Sequence, residues 1–274
     1  MFAGSLAMSA LNLKSVPAKE QMRCAILLTV AGAFVCASLF LVGRKWPQKG
    51  FILRLALFLF CFYAAMATGA WAGNLIGRTE PTSSQLVIAT LSFQGAALVL
   101  IRRFLRDHEM SWSEAFGFHN SWKKALKLGL LAGICFLPVG WGLQSLVAWL
   151  MQHFNIPVEE QQAVQVLRHT TSWLSSIALG IIAIFLAPVA EEMLFRGILY
   201  PAIRQAGYPR IALWSTSLVF AAMHMNMPSF IPLLLLAFLL VFLYGRTNNL
   251  LSCIVAHSFF NATNFAMFYI YANK

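Results

Sequence analysis

Five ionisable residues lie inside apolar segments of the C-terminal third of this chain. They are Glu191, Glu192, Arg196, His224 and His257. A charged group at the centre of a bilayer costs about 2.5–3.5 kcal/mol on insertion scales, so such groups usually face an interior cavity and pair with one another. We therefore expect these five residues, which lie on three separate predicted helices, to form one shared site.

Helical spacing gives the two adjacent glutamates different directions. Glu192 and Arg196 are four residues apart and can pair on one face of a helix. Glu191 points about 100° away from Glu192 and is free for other interactions. The spacing therefore predicts an ion pair beside a second, unpaired carboxylate.

Each of the two histidines has a neighbour one helical turn away. Phe220 and His224 are four residues apart, which places an aromatic ring over the turn beneath the imidazole. His257 and Asn261 have the same spacing, and Asn264 continues that face. One helix therefore presents an imidazole and a carboxamide side by side.

These residue types suit the hydrolysis of an amide bond. A carboxylate in an apolar pocket can act as a general base toward water, and a histidine opposite it can share that water. A neutral donor pair, His257 and Asn261, can stabilise the oxyanion as its charge develops. Arg196 would keep Glu192 ionised and fix the helix.

Every one of these groups also has a purely structural interpretation. Glu192 and Arg196 can form an intramembrane ion pair, and His224 can be a hydrogen-bonded packing residue. His257 and Asn261 can join helices, as histidine and asparagine commonly do in membranes. A chemical site is favoured because three separate helices each carry such costly polar groups.

Three short motifs in this region resemble a known family. Glu191-Glu-Met-Leu-Phe-Arg196 fits EExxxR, Phe220-Ala-Ala-Met-His224 fits FxxxH, and His257-Ser-Phe-Phe-Asn261 fits HxxxN. In this order and on separate helices, they look like the CPBP family of intramembrane proteases. That family includes the Rce1-type CAAX prenyl endopeptidases and the bacterial Abi proteins linked to bacteriocin processing and self-immunity. The resemblance covers roughly residues 173–268.

The resemblance implies a role for each matched residue. Glu191 would be the catalytic glutamate that activates water, with His224 as its partner. His257 and Asn261 would form the oxyanion site. The supporting residues would be Glu192, Arg196 and Phe220.

The resemblance implies a glutamate-type hydrolase that requires no metal. The sequence agrees in one respect, because it contains no HExxH, the compact zinc-protease signature. The alternative is a divalent metal such as zinc, held by Glu191, His224 and His257 as a two-histidine, one-carboxylate site.

Composition predicts a membrane protein. The chain of 274 residues is 59% hydrophobic and 11% charged, with a mean hydropathy of +0.71, whereas soluble domains carry about 25% charged residues. The predicted fold class is all-α, a polytopic transmembrane helical bundle of about eight helices with an intramembrane polar site. The predicted spans are Met22–Val42, Phe51–Ala72, Gln85–Ile101, Ala125–Leu150, Trp173–Ala190, Ile211–Met225, Phe230–Tyr244 and Leu250–Tyr271.

The predicted organisation has two parts. Residues 1–170 are N-terminal transmembrane helices, and residues 171–270 are the protease core that resembles the CPBP family. The fifth span continues as an amphipathic helix, and Met227–Ser229 is a turn. Straight, alternating spans would place His224 and His257 at different depths, so their convergence requires tilted or offset helices.

The predicted localisation is a bacterial plasma membrane, with several membrane crossings. The formal net charge of +11 lies largely beside apolar spans, which indicates contact with anionic lipid headgroups and excludes a nucleic-acid partner. The N-terminal and later basic segments predict opposite membrane orientations, so the orientation stays open. The oligomeric state stays open as well.

The predicted function is an intramembrane endopeptidase that hydrolyses a peptide bond in a membrane-embedded or membrane-proximal peptide or protein. The alternative is a non-proteolytic membrane protein, an immunity factor or scaffold, that uses the same polar cluster for binding. A proton-coupled transporter is disfavoured, because the sequence shows no inverted repeat with matching broken helices.

Overall fold

The structure is a computed structural model that describes residues 83–272. The predicted spans Met22–Val42 and Phe51–Ala72 lie outside the described residues. Residues 86–274 group as one compact unit.

The described residues form eight helices and no strand. Their bounds are α1 Ser83–Asp107, α2 Trp112–Phe116, α3 Trp122–His153, α4 Gln162–Arg168, α5 Trp173–Gln205, α6 Pro209–Met223, α7 Met227–Thr247 and α8 Leu251–Ala272. The prediction of an all-α helical bundle is confirmed.

Three of these helices are long and apolar enough to cross a membrane, namely α3, α5 and α7. Helix α6 has 15 residues, which at 1.5 Å per residue span about 22 Å, less than the roughly 30 Å of a hydrocarbon core. The protein is thus an integral membrane protein, with shorter helical pieces between its spans.

Helix α5 carries the EExxxR motif and has an unusual backbone. It continues from Trp173 to Gln205, as the predicted amphipathic continuation requires, but two parts of it are π-helical, Ile182–Leu186 and Met193–Leu199. Pro188 lies in the first α-helical turn after the first π-helical part. Such wide turns occur frequently at functional sites, because they redirect side chains and free carbonyl groups.

The predicted turn at Met227–Ser229 is wrong. These residues form the first turn of α7, because the side chain of Asn226 caps the helix by accepting a hydrogen bond from the backbone N–H of Ser229, at 3.1 Å. Pro228 fits there, since the first turn of a helix does not need its N–H. The turn between α6 and α7 is therefore only His224–Asn226 long.

Small residues bring α3 against α8. A Cβ atom built on Gly129 would lie 2.5 Å from the carbonyl oxygen of Ser252, and one built on Gly133 would lie 3.0 Å from the Phe259 ring. Gly129 and Gly133 have the GxxxG spacing that lets two membrane helices approach closely. This packing holds the helix that carries His257 and Asn261.

Two polar segments connect the longer helices, and each contains a short helix. Arg102–Lys127 includes the end of α1 and the short helix α2, whose Ser111–Glu114 capping box is complete. Trp112 and Trp122 are exposed, whereas Phe116 is fully buried. The second connection, Gln152–Arg168, contains α4.

Candidate active site

A fully buried ion pair forms the base of the site. Nη1 of Arg196 donates to Oε1 of Glu192 at 2.9 Å, and the two side chains are 1% and 0% exposed. Nη2 of Arg196 also donates to the carbonyl oxygen of Ala237 in α7, at 3.3 Å. The predicted pairing is present, and it joins α5 to α7 as well as stabilising the helix itself.

His257 lies between the two glutamates. Its Nδ1 is 2.8 Å from Oε1 of Glu192, and its Nε2 is 4.0 Å from Oε2 of Glu191. Glu191 is 17% exposed, whereas His257 is 1% exposed. Of the two carboxylates, Glu191 is therefore the one that a water molecule or a substrate can reach.

The contact with Glu192 determines how His257 can act. Since an ionised carboxylate only accepts hydrogen bonds, Nδ1 of His257 carries a proton. In the neutral imidazole Nε2 is then an acceptor, and it becomes a donor only in the imidazolium form.

The ring of Phe220 links the charged cluster to both histidines. The Arg196 guanidinium carbon lies 4.5 Å from the Phe220 ring centroid, a cation–π distance. The His224 and His257 rings lie 5.1 and 5.6 Å from the same ring, the latter edge-on. The two histidines therefore approach one aromatic ring, despite the different depths that straight spans predict.

His224 ends α6 and belongs to its last turn. Its Nδ1 lies 2.8 Å from the carbonyl oxygen of Phe220. A carbonyl only accepts, so the proton of a neutral His224 is on Nδ1, and Nε2 is left as an acceptor. The imidazole is partly exposed, and its ring does not form an ion pair with either glutamate in the described part of the chain.

Asn261 and Asn264 face different neighbours. Nδ2 of Asn261 donates to the carbonyl oxygen of Ala183, at 2.9 Å, in the first π-helical part of α5. Oδ1 of Asn264 accepts from Nε1 of Trp141 in α3, at 2.9 Å. The predicted common face therefore divides, since His257 and Asn261 contact α5 and Asn264 contacts α3.

Gln94 in α1 is a contact of Glu191 that the motif reasoning missed. Its Nε2 donates to Oε1 of Glu191 at 3.1 Å, and its side chain is buried. One signal in the sequence pointed to it, because Gln94 is a polar residue in the middle of the predicted apolar span Gln85–Ile101.

The proposed metal ligands do not assemble into a metal site in the described range. Within residues 83–272, no three His, Cys, Asp or Glu side chains are arranged to hold a metal ion. Zinc would need nitrogen and oxygen ligands at about 2.0–2.2 Å. Nδ1 of His257 is engaged by Glu192, and Nε2 stands 4.0 Å from Glu191. The side chains in this arrangement fit a hydrogen-bonded cluster better than a ligand set.

The part of the chain that carries the three motifs matches a known protein family. Residues 173–263 match the family model described as Type II CAAX prenyl endopeptidase Rce1-like. The resemblance predicted from the three motifs is confirmed. The Rce1-like segment contains the whole of α5, α6 and α7 and the part of α8 with His257 and Asn261, whereas Gln94 lies outside it.

One curated relative shares a shorter stretch. The chain is 40% identical over 77 residues to the uncharacterized protein YpbD of Bacillus subtilis (strain 168). The alignment covers 27% of this chain and 36% of that protein, so the chain spans about a third of the relative's length. No solved structure matches the chain.

Proposed function

We propose that the protein is an intramembrane endopeptidase of the CAAX-protease type, which hydrolyses a peptide bond in a membrane-embedded or membrane-proximal substrate. One observation carries this proposal. A partly exposed carboxylate, Glu191, stands beside a buried, hydrogen-bonded cluster of Glu192, Arg196 and His257, inside the Rce1-like segment.

Glu191 is the general base in this mechanism. It takes a proton from a water molecule, whose oxygen attacks the carbon of the scissile carbonyl group. Nε2 of His224 accepts the second hydrogen of that water and orients its lone pair, a role supported by the Nδ1 contact with Phe220. A positioned base of this kind contributes typically 10²–10⁴-fold to a rate.

His257 and Asn261 stabilise the oxyanion that forms on the carbonyl oxygen. His257 does so through Nε2–H in its imidazolium form, which differs from the neutral donor predicted from the sequence. Asn261 donates one of its two amide hydrogens to Ala183, and the second remains for the oxyanion. Each preorganised donor of this kind is worth about 10²–10³-fold in kcat.

The intermediate collapses when the proton held by Glu191 moves to the leaving nitrogen. The C–N bond then breaks and releases an amine, and the other product is a carboxylic acid. Water is the only reactant besides the peptide. Glu192 and Arg196 take no part in this proton transfer, because both side chains are fully buried in their pair.

We propose that this hydrolysis requires no metal. The proposal is supported by the hydrogen-bonded state of His257 and by the ligand arrangement described above. A zinc-dependent reaction through Glu191, His224 and His257 is the competing outcome, and a chelator distinguishes the two.

The substrate class proposed is a peptide or protein that reaches the site from within the bilayer. The family description names prenyl endopeptidases. The apolar surface around α5 and α8, however, fits a groove that faces lipid as well as it fits a pocket for a prenyl group. We therefore do not extend the proposal to a prenyl group. The multi-pass location in a bacterial plasma membrane is likewise a proposal, supported by the three apolar helices and by the bacterial relative.

The test compares wild type, Glu191→Gln and His224→Ala on membrane-tethered peptides, with and without a chelator. We expect cleavage by wild type, none by Glu191→Gln and a strong reduction in His224→Ala, with no effect of the chelator. Loss of activity with the chelator and recovery with zinc would favour the metal mechanism. The immunity or scaffold alternative would be favoured by a folded wild type that cleaves nothing, if wild type and Glu191→Gln bind the same partner equally well.

A further inference from the structure

The contact between α1 and Glu191 adds a residue to the site from outside the Rce1-like segment. Gln94 is 3% exposed, and its Nε2 lies 3.1 Å from Oε1 of Glu191. Residues 173–263 match the family model. Gln94 precedes the start of that segment by 79 positions, so the contact comes from a helix outside it. The general base of the proposed reaction is therefore held by two parts of the chain.

The orientation of the Gln94 amide follows from its chemistry. The carboxylate of Glu191 accepts hydrogen bonds, so it selects the NH2 group of the amide and repels the carbonyl. The carbonyl oxygen of Gln94 is buried and has no hydrogen-bond partner among the described residues. An unpaired buried acceptor is unfavourable, which indicates that the contact with Glu191, and not the packing of the amide itself, sets this orientation.

This hydrogen bond also determines which oxygen of Glu191 is left to act as the base. Oε1 accepts from Gln94, and Oε2 is the oxygen that faces Nε2 of His257 at 4.0 Å. Without Gln94 the carboxyl group could rotate and exchange its two oxygens.

We propose that Gln94 is a positioning residue of the proposed peptidase: it orients the Glu191 carboxylate and makes α1 part of the active site. This inference rests on the proposed function for its catalytic meaning. Gln94 acts through Glu191 and is not itself assigned a contact with the substrate.

Two substitutions test the inference. Gln94→Met has a similar volume and removes the donor, so kcat/KM should fall roughly ten- to hundredfold, mainly through kcat. Gln94→Glu puts a second carboxyl group against Glu191 in nearly the same volume, so it should lower kcat at least as far as Gln94→Met does.

A matched control separates this effect from the loss of a glutamine as such. Gln144 in α3 is exposed, so Gln144→Met should leave both kcat and KM unchanged. A kcat of Gln94→Met equal to that of wild type would overturn the inference. A fall in kcat/KM that comes entirely from KM would also overturn it, because a residue that positions the base acts on the chemical step.

Infrared difference spectroscopy tests the contact without relying on turnover. The band of the Glu191 side chain is assigned by its loss in Glu191→Gln, and its frequency should shift in Gln94→Met, because that variant removes the hydrogen bond to Oε1. An unchanged band would overturn the inference even if wild type cleaves peptides. A shifted band in a protein whose wild type cleaves nothing would reject the proposed function instead. The contact between Gln94 and Glu191 would then exist but would have no catalytic role.

Discussion

Nδ1 of His257 lies 2.8 Å from Oε1 of Glu192, and neither side chain is more than 1% exposed. This contact joins α5 to α8 in the interior of the protein. Oε1 of Glu192 also accepts from Arg196. In the proposed mechanism Glu192 is therefore the supporting carboxylate and the adjacent, partly exposed Glu191 is the base.

Removing one partner of the buried pair should cost far more stability than removing one partner of an exposed pair. Arg196→Met leaves the Glu192 carboxylate buried without its guanidinium, and breaking a buried pair in this way costs about 3–5 kcal/mol. We expect that loss in the free energy of unfolding, measured by chemical unfolding in detergent micelles.

The control for this prediction is Arg168→Met. Arg168 pairs with Glu160 at 2.6 Å, but both side chains are about half exposed, so its loss should cost about 0–1 kcal/mol. A double variant, Glu192→Met with Arg196→Met, should recover part of the stability lost in Arg196→Met. Equal losses in Arg168→Met and Arg196→Met would show that the buried pair is not an anchor of the fold.

The packing of α3 on α8 predicts a position-specific effect of alanine. In Gly129→Ala the new Cβ would stand 2.5 Å from the carbonyl oxygen of Ser252. Because backbone cannot easily move away, the helices must separate, and we expect a loss of about 1–3 kcal/mol together with reduced activity.

Gly142→Ala on the same helix is the matched control, because nothing lies within 4 Å of its Cβ position. Alanine there should be neutral or stabilising by up to about 1 kcal/mol. Thermal unfolding of the two variants side by side measures the difference. A Gly129→Ala protein as stable as Gly142→Ala would contradict the close approach of α3 and α8.

Part of this site could be predicted from the sequence because membrane insertion makes polar residues conspicuous. The spacing of Glu192 and Arg196 specified their pairing, and the spacing of Phe220 and His224 specified the ring contact. Both relations are local, within one helical turn, so they need no knowledge of how helices pack.

The relations between helices could not be predicted in the same way. The contact of His257 with Glu192 and that of Gln94 with Glu191 join residues 65 and 97 positions apart. The turn wrongly predicted at Met227–Ser229 shows the opposite error, since a proline in the first turn of a helix was interpreted as an interruption. The π-helical parts of α5 could not be predicted from amino-acid composition. The carbonyl oxygen of Ala183, which accepts a hydrogen bond from Asn261, lies in the first of them.

Asn261 and Asn264 provide a test of the oxyanion role. Asn261→Ala should lower kcat by about 10²–10³-fold with little change in KM, the usual effect of removing one oxyanion donor. Asn264→Ala also removes an interhelical hydrogen bond, the one to Trp141, but it should keep activity within about tenfold of wild type. Steady-state kinetics on one cleaved peptide measures both, and equal losses would assign Asn261 a structural role only.

The most direct test of the central claim is the ratio of kcat/KM between Glu191→Gln and wild type, measured on a membrane-tethered peptide at equal folded fraction, with Glu192→Gln beside them. We predict that Glu191→Gln has no measurable cleavage, and that Glu192→Gln loses stability but retains activity in its folded fraction. Full activity in Glu191→Gln, or inactivation by Glu192→Gln alone, would contradict the assignment of Glu191 as the base.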